Sequence, residues 1–363
     1  MDMQSTYYRL KRFLRISRAR NQNNDLSMTF GHFSDSGFDV DCDSLVLHLL
    51  SHLRQPITRT SLYSTLSTRE KTISSDDISA TLDVLQERGM IQTGTSDCFE
   101  TSRYDRHHIY YSMFSKNPWH CQDRLKNSTV VLIGMGGIGS WITYCLAGAG
   151  IGTIIGVDHD GIELTNLTRQ ILYSEEDIGK TKVECAAERI RRFNSEIQFI
   201  PINKKIASIE EIRQIIRGAN LVLLSADTPD SIHEWVNTAC IQERVAWSVT
   251  GYIEMHGICG PLVIPTETGC SQCCTQSSSH LFQHLTEEQL ELIQGINQQY
   301  QAPSFGPFNC MLSGFQALEA IKYLSGYAVP ETKGVRFIIH SGTMDMVREQ
   351  VARNPNCDVC GVI

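Results

Sequence analysis

The chain has 363 residues, a formal net charge of −8 and 41% hydrophobic residues. Its length exceeds one ordinary domain, so two are expected, and the hydrophobic share supplies real cores without a long low-complexity segment. The acidic balance argues against nucleic acid as the main partner, and no apolar stretch reaches membrane-spanning length. Arg9, Lys11, Arg12, Arg15, Arg18 and Arg20 make the beginning basic, yet no uninterrupted apolar run accompanies them, so a targeting peptide is not expected. Thirteen cysteines without a secretion signal read as thiols of a reducing compartment, and a soluble cytoplasmic protein is the expectation.

Tyr8, Leu10, Leu14 and Ile16 share one parity, a half-buried strand pattern interrupted by Arg12, and residues 26–30 offer a second strand after the polar turn at 21–25. Three short helices are expected next. The first takes Asp43 and Ser44 as candidate caps, carries Leu45, Leu49 and Leu53, and stops before Pro56. The second lies near 60–66. The third opens on the capping pair Ser74 and Asp77, carries Ile78, Leu82 and Leu85, and ends at Gly89. Residues 90–100 read as a short hairpin wing. Strands, three helices and a wing resemble the winged-helix module that recognises leader peptides in ribosomal peptide maturation. A DNA-binding winged helix competes with that reading, but its third helix would turn Asp76, Asp77, Asp83 and Glu87 toward phosphates. A peptide could instead add as a strand beside the N-terminal hairpin, where basic residues would meet an acidic partner.

The unbroken apolar run Val130 to Ile133 reads as a strand buried on both faces. Gly134, Gly136 and Gly139 follow in G-x-G-x-x-G spacing, then a helix through Trp141 and Leu146 that runs out at Gly148-Ala149-Gly150. A second apolar run, 153–157, delivers Asp158, an acid at the distance from a glycine turn that a ribose hydroxyl pair needs. Alone, these features describe a nucleotide site. The continuation Asn166-Leu167-Thr168-Arg169-Gln170 and Gly179-Lys180-Thr181-Lys182 adds cations that a dinucleotide oxidoreductase does not require. Cleaving a triphosphate between its α- and β-phosphates does require cations on both sides of the breaking bond, a role suited to Arg169 and Lys182.

Strand and helix then alternate, as a parallel sheet demands: a helix with Val183 and Ile190, a strand at 198–202, a helix at 209–216 and a strand at 221–224. Asp227 follows that last strand, where open α/β sheets place ligands. It reads as a magnesium ligand, with the N-cap of the helix carrying Trp235 and Val236 as the alternative. Cys270-x-x-Cys273 and Cys357-x-x-Cys360 would supply four thiolates to a closed, structural zinc site. Cys274 adjoins the first pair, but the symmetric spacing favours Cys273. Cys145, Cys185, Cys240, Cys259 and Cys310 read as small core residues, and residues 315–323 as a core-packed helix.

On these residues the chain resembles the E1-like adenylating superfamily of ThiF, MoeB and the ubiquitin activators. The shared series is G-x-G-G-[IL]-G at Gly134, Gly136, Gly137 and Gly139, D-x-D at Asp158 and Asp160, N-L-x-R-Q from Asn166 to Gln170, and G-x-x-K ending at Lys182. Within the superfamily it looks most like the enzymes that adenylate ribosomal peptides in microcin- and pantocin-type antibiotic biosynthesis. The resemblance implies a Rossmann-like, mostly parallel adenylation domain over 103–363, with a crossover loop at about 275–307, behind a winged-helix-like peptide-recognition domain over 1–102. Asp158 would hold the ATP ribose, Asn166 and Arg169 would contact phosphate, Lys182 would serve the α-phosphate, and Asp160 and Gln170 would complete the site. Arg103-Tyr104-Asp105-Arg106 is similar to the superfamily's R-Y-x-R-Q segment, with His107 in place of Gln. Arg106 is thereby the candidate arginine finger on the γ-phosphate of a partner subunit, which implies a homodimer.

The expected activity is ATP- and magnesium-dependent adenylation of a carboxyl group of a ribosomal precursor peptide, with release of pyrophosphate. Activation of a ubiquitin-like or sulfur-carrier protein is the alternative, and the absence of cysteine between Cys274 and Cys310 weakens it. A nicotinamide-dependent oxidoreductase, or a winged-helix DNA-binding regulator, would leave the 166–182 cluster unexplained.

Overall fold

The structure, a computed structural model, describes residues 6–14, 16–20, 26–30, 38–41, 44–68, 73–100, 102–275, 286, 289, 292, 295 and 303–361, with the side chains of 15–45 and 274–275 left aside. Most of the crossover loop expected at about 275–307 lies outside these residues. The chain divides into two compact units, Met1–Gln122 and Asp123–Ile363.

In the first unit the strands are β1 (Tyr7–Leu10), β2 (Ile16–Arg20), β3 (Leu26–Phe30), β4 (Phe38–Asp41), β5 (Ile57–Thr58) and β6 (Ile91–Gly94). They form two antiparallel sheets, ordered β5-β1-β6 and β2-β3-β4. The single strand expected through Tyr8 and Ile16 is thus divided. The break falls at a turn in which Leu14 N–H donates to Lys11 O at 3.1 Å. Arg12 sits in that turn, paired with Asp105.

The expected helices are α1 (Ser44–His52), α2 (Arg59–Ser67) and α3 (Ser75–Glu87), followed by α4 (Asp105–Tyr111) and α5 (Pro118–Lys126). Ser74 and Asp77 close the expected capping box on α3: Ser74 N–H donates to the Asp77 carboxylate at 2.9 Å and Asp77 N–H to Ser74 Oγ at 3.1 Å. Ile78, Leu82 and Leu85 then pack with Leu49, Leu53 and Leu62 into the core of this unit. Residues 90–100 are not a hairpin. They form β6 and a 3-10 turn at Ser96–Phe99, and β6 spends its pairing on β1 across a long sequence separation.

In the second unit, β7 (Thr129–Ile133), α6 (Gly137–Ala149), β8 (Thr153–Asp158), α7 (Lys182–Phe193), β9 (Gln198–Asn203), α8 (Ile209–Ile216), β10 (Leu221–Leu224) and α9 (Ile232–Glu243) alternate as expected. The chain continues through β11 (Ala246–Ile253), β12 (His256–Val263), α10 (Ser271–Thr275), α11 (Gly306–Ser325), β13 (Val335–His340) and β14 (Met346–Gln350). All the strands join one eight-stranded sheet, ordered β14-β13-β12-β11-β10-β7-β8-β9. The stretch from β11 to β9 is parallel and the stretch from β14 to β11 antiparallel.

Val130–Ile133 and Leu221–Leu224 are buried along their whole length, as central strands covered on both faces must be. The chain runs outward from β7 to β9 and returns to the other side of β7 with β10. Strand order therefore reverses between β7 and β10, and a crevice opens there at their C-terminal ends.

Candidate active site

The glycine turn lies at that crevice. Gly134 adopts a φ of +94° and its N–H donates to Val157 O at 2.9 Å. A side chain at Gly139 would place its Cβ 2.0 Å from Gly134 O, so this glycine is what lets α6 pack onto the strand it leaves. Nothing lies closer than 3.9 Å to a Cβ built on Gly136, which leaves its backbone open to an approaching phosphate.

Asp158 ends β8. Its carboxylate accepts from Met135 N–H at 2.7 Å and from Asp160 N–H at 2.8 Å, so the glycine turn itself aims it. Lys182 opens α7 with a buried side chain, and its Nζ donates to Asp160 Oδ2 at 2.7 Å. Asp227 follows β10, and burial pushes its carboxyl up from the usual range while His233 pulls it down. The residue as a whole is exposed, so its carboxylate oxygens can be reached by a hard cation such as magnesium.

Gly134, Gly136, Asp158, Asp160, Lys182 and Asp227 all line one cavity of about 220 Å³. Lys204 and Lys205 line it too. Sequence reading passed over both, although a lysine pair directly after the C-terminal end of a parallel strand is a usable signal.

The 166–170 segment borders the turn without lining that cavity. A Cβ on Gly137 would meet Arg169 Cγ at 3.3 Å, and the atom nearest one on Gly136 is Gln170 Nε2. Arg169 donates through Nη1 to Thr165 O at 2.9 Å. Asn166 is buried, and its Oδ1 accepts from Glu163 N–H at 3.2 Å, so part of its side chain caps its own 3-10 turn. Asn309, fully buried at the start of α11, would collide with any side chain at Gly137, its Nδ2 lying 2.4 Å from that Cβ. Arg106 belongs to the first unit, where it is exposed on α4.

The four expected thiols converge. Sγ–Sγ separations are 4.0 Å for Cys270–Cys273, 3.7 Å for Cys270–Cys357 and 3.5 Å for Cys273–Cys360, and all four Sγ lie within 4.8 Å of one another. A tetrahedron with Zn–S of ~2.3 Å has edges of ~3.8 Å, so the set fits zinc with no position left open. Burial pushes the Cys357 thiol up, but the backbone amides of Cys360 and Val359 outweigh it and bring it to about 7. Gly361 is what lets the tail turn this tightly, since a Cβ there would lie 2.4 Å from Pro355 O.

A doubly wound sheet whose glycine turn, Asp158 and buried Lys182 meet at the switch point fits an adenylating enzyme of the E1-like class. Residues 104–359 match the ThiF family, and the chain belongs to it. It is an adenylyltransferase. The molybdopterin-synthase adenylyltransferase of Salmonella typhimurium is 31% identical over 241 residues, which cover 66% of this chain and 90% of that protein.

The crystal structure of E. coli MccB with ATP superposes with a TM-score of 0.77 at 29% identity, covering 98% of this chain and 100% of that one. The microcin C7 biosynthetic enzyme MccB in complex with N-formylated MccA gives a TM-score of 0.79 at 30% identity over the same shares. PaaA, at 20% identity and a TM-score of 0.71, covers 93% of this chain and 99% of its own and shares the fold. No helix among the described residues is long and apolar enough to cross a membrane.

Proposed function

We propose that this enzyme uses ATP and magnesium to adenylate a carboxyl group of a ribosomally made peptide, as a step in making a peptide natural product. One observation carries the reading. The molybdopterin-synthase adenylyltransferase above covers 66% of this chain, whereas MccB covers 98% of it. The N-terminal unit is therefore shared with an enzyme solved with the peptide MccA and extends beyond the part shared with sulfur-carrier activation. In this reading residues 1–102 recognise the precursor and 103–363 perform the chemistry, in a cytoplasmic homodimer with a zinc-clamped tail.

A carboxylate is a poor acyl donor because its leaving group would be oxide. Its oxygen attacks the α-phosphorus, the bond from that phosphorus to the bridging oxygen breaks, and pyrophosphate departs with the electron pair. Asp158 orients the ribose, and the amides of the glycine turn hold phosphate. Lys182 and Arg169 balance charge developing across the breaking bond, with Asn166 and Gln170 supporting the phosphate segment and Arg106 of the partner protomer neutralising the departing pyrophosphate. Asp227 would hold magnesium, which screens the phosphate oxygens from the incoming anion. Buried Lys182 also keeps Asp160 in register beside Asp158.

Incubating the enzyme with magnesium, ATP and the precursor peptide encoded beside its gene tests this. Pyrophosphate release and a mass increase of one adenylyl group on the peptide are expected, with turnover lost in Asp227→Ala at an unchanged melting temperature. Release of pyrophosphate only with a sulfur-carrier protein, the reading that the sulfur carrier protein ThiS adenylyltransferase of E. coli, 30% identical over 241 residues, favours, would replace it.

A further inference from the structure

The first unit holds a cavity that the adenylation chemistry leaves unused. It measures about 1070 Å³, at the top of the range of roughly 300–1,000 Å³ that accommodates small molecules. Leu10 at the end of β1, Phe13 and Leu14 in the following turn, Leu50 on α1 and Ile109 on α4 give it an apolar floor. Leu47, on the same wall, is 39% exposed, although it sits one turn from the buried core leucines of α1.

Lys11, Arg12, Arg54 and Arg106 rim this floor, against one carboxylate, Asp105. Two of the cations are already committed. Lys11 donates to Ser112 O at 2.7 Å, and burial lowers its pKa. Arg12 pairs with Asp105. Arg54 and Arg106 are exposed, and neither forms an ion pair with another described residue. The rim therefore keeps an unbalanced positive charge over an aliphatic surface.

β1 runs between β5 and β6, so it offers no free edge for strand addition. An occupant here must be held by its side chains. Nucleic acid is a poor match, because its phosphates reward a cationic track and its bases reward aromatic platforms. Here the floor is mostly aliphatic and Asp105 lies within it.

We propose that this groove seats an acidic, amphipathic segment of the substrate peptide, with its apolar side chains on Leu10, Leu47 and Ile109 and its carboxylates at Arg54. The proposal rests on the peptide-adenylation reading and adds the chemistry of the segment recognised. It separates this chain from any relative whose peptide is basic, because a basic segment would be repelled from the same rim.

Fluorescence anisotropy with the full-length protein tests it, using three labelled peptides of equal length that alternate Leu with Glu, Leu with Lys, and Ser with Glu. The Leu/Glu peptide is expected to bind, more weakly as salt rises, and about tenfold more tightly than either of the others. Arg54→Glu should weaken it about tenfold and narrow the gap to the Leu/Lys peptide, and Leu47→Ser should weaken it without changing the salt dependence. Arg106 is left unaltered because it also has a proposed catalytic role, and Arg54→Gln replaces Arg54→Glu if that variant melts early.

Equal binding of all three peptides, unchanged Leu/Glu affinity in both variants, or displacement of the peptide by a single-stranded oligonucleotide would overturn the proposal. Pyrophosphate release in the same preparations separates the two readings. An enzyme that adenylates its precursor with equal KM in native and Arg54→Glu forms sinks the groove alone. One that is active only with a sulfur-carrier protein sinks the peptide-adenylation reading.

Discussion

Replacing Cys360 by Ser opens a clamp whose worth can be worked out from the chain. Cys270 and Cys357 lie 87 positions apart with their sulfurs at 3.7 Å, so a shared zinc closes that whole segment into a loop. Chain-entropy reasoning for a closed loop of this size gives about 4–5 kcal/mol, the full loss being reached when removal of one of the four thiolates releases the zinc. Spread over the melting entropy of a unit of roughly 240 residues, that is a fall of about 10 °C. Three measurements check it: one zinc per chain by elemental analysis, the melting temperature of Cys360→Ser, and that of native protein after chelation. Cys98→Ser, in the other unit, serves as the control. Metal-free native protein that melts within about 2 °C of the untreated sample would refute the reasoning, because the loop would then be held closed by packing alone.

Gly139→Ala should cost about 1–3 kcal/mol and weaken ATP binding in calorimetry, because the added methyl meets Gly134 O at 2.0 Å and pushes α6 off the turn. Lys182→Ala should lower kcat by about 10²–10³ while melting close to native, since the Asp160 it abandons is 52% exposed and can be solvated. Asp177 gives a pH signature. Burial pushes its carboxyl up, but hydrogen bonds from Ser174 and Lys180 outweigh this and hold it at about 2. A depressed folded value means the contribution is fully present above the unfolded value of about 4 and is lost as pH falls toward about 2. Asp177→Asn should therefore be roughly 1–2 kcal/mol less stable at neutral pH, allowing for solvent screening, and should converge with native in acid denaturation near pH 2. Mixing Arg106→Ala subunits with Asp227→Ala subunits should restore activity above either parent in pyrophosphate assays if the finger acts across a dimer, and recovery that never appears would place it in its own protomer.

The nucleotide site was legible because a βαβ unit writes its chemistry locally. Gly134, Asp158 and Lys182 fall within one short stretch, and the hydrogen bond from Met135 N–H to Asp158 joins residues 23 apart. The four converging cysteines were legible for a different reason. Each ligand pair is local even though the pairs are 87 residues apart, and thiolate spacing needs no partner to be recognised. What escaped the sequence was built by pairing between distant segments. β11 and β12 carry Gly251, Gly257 and Gly260-Pro261 in place of a clean alternation, and their strand character comes from neighbours in the sheet more than from their own composition. The wing failed likewise, because β6 found β1 rather than a second strand of its own, and the side chain of Asn166 turned out to be half spent on its own turn.

The same distinction explains why the reaction could be read before its substrate. Phosphate chemistry needs charges at fixed spacing along one short stretch, so its residues cannot drift apart in sequence. A peptide groove has no such constraint. Leu10, Leu47 and Ile109 come from three separated segments, and each alone looks like an ordinary core or surface apolar residue. Only the fold sets them on one floor and leaves Arg54 above it with no carboxylate partner among the described residues. Selection on the partner peptide can therefore alter the groove while leaving the adenylating centre untouched, and a family defined by residues 104–359 can keep one chemistry while its members serve different partners.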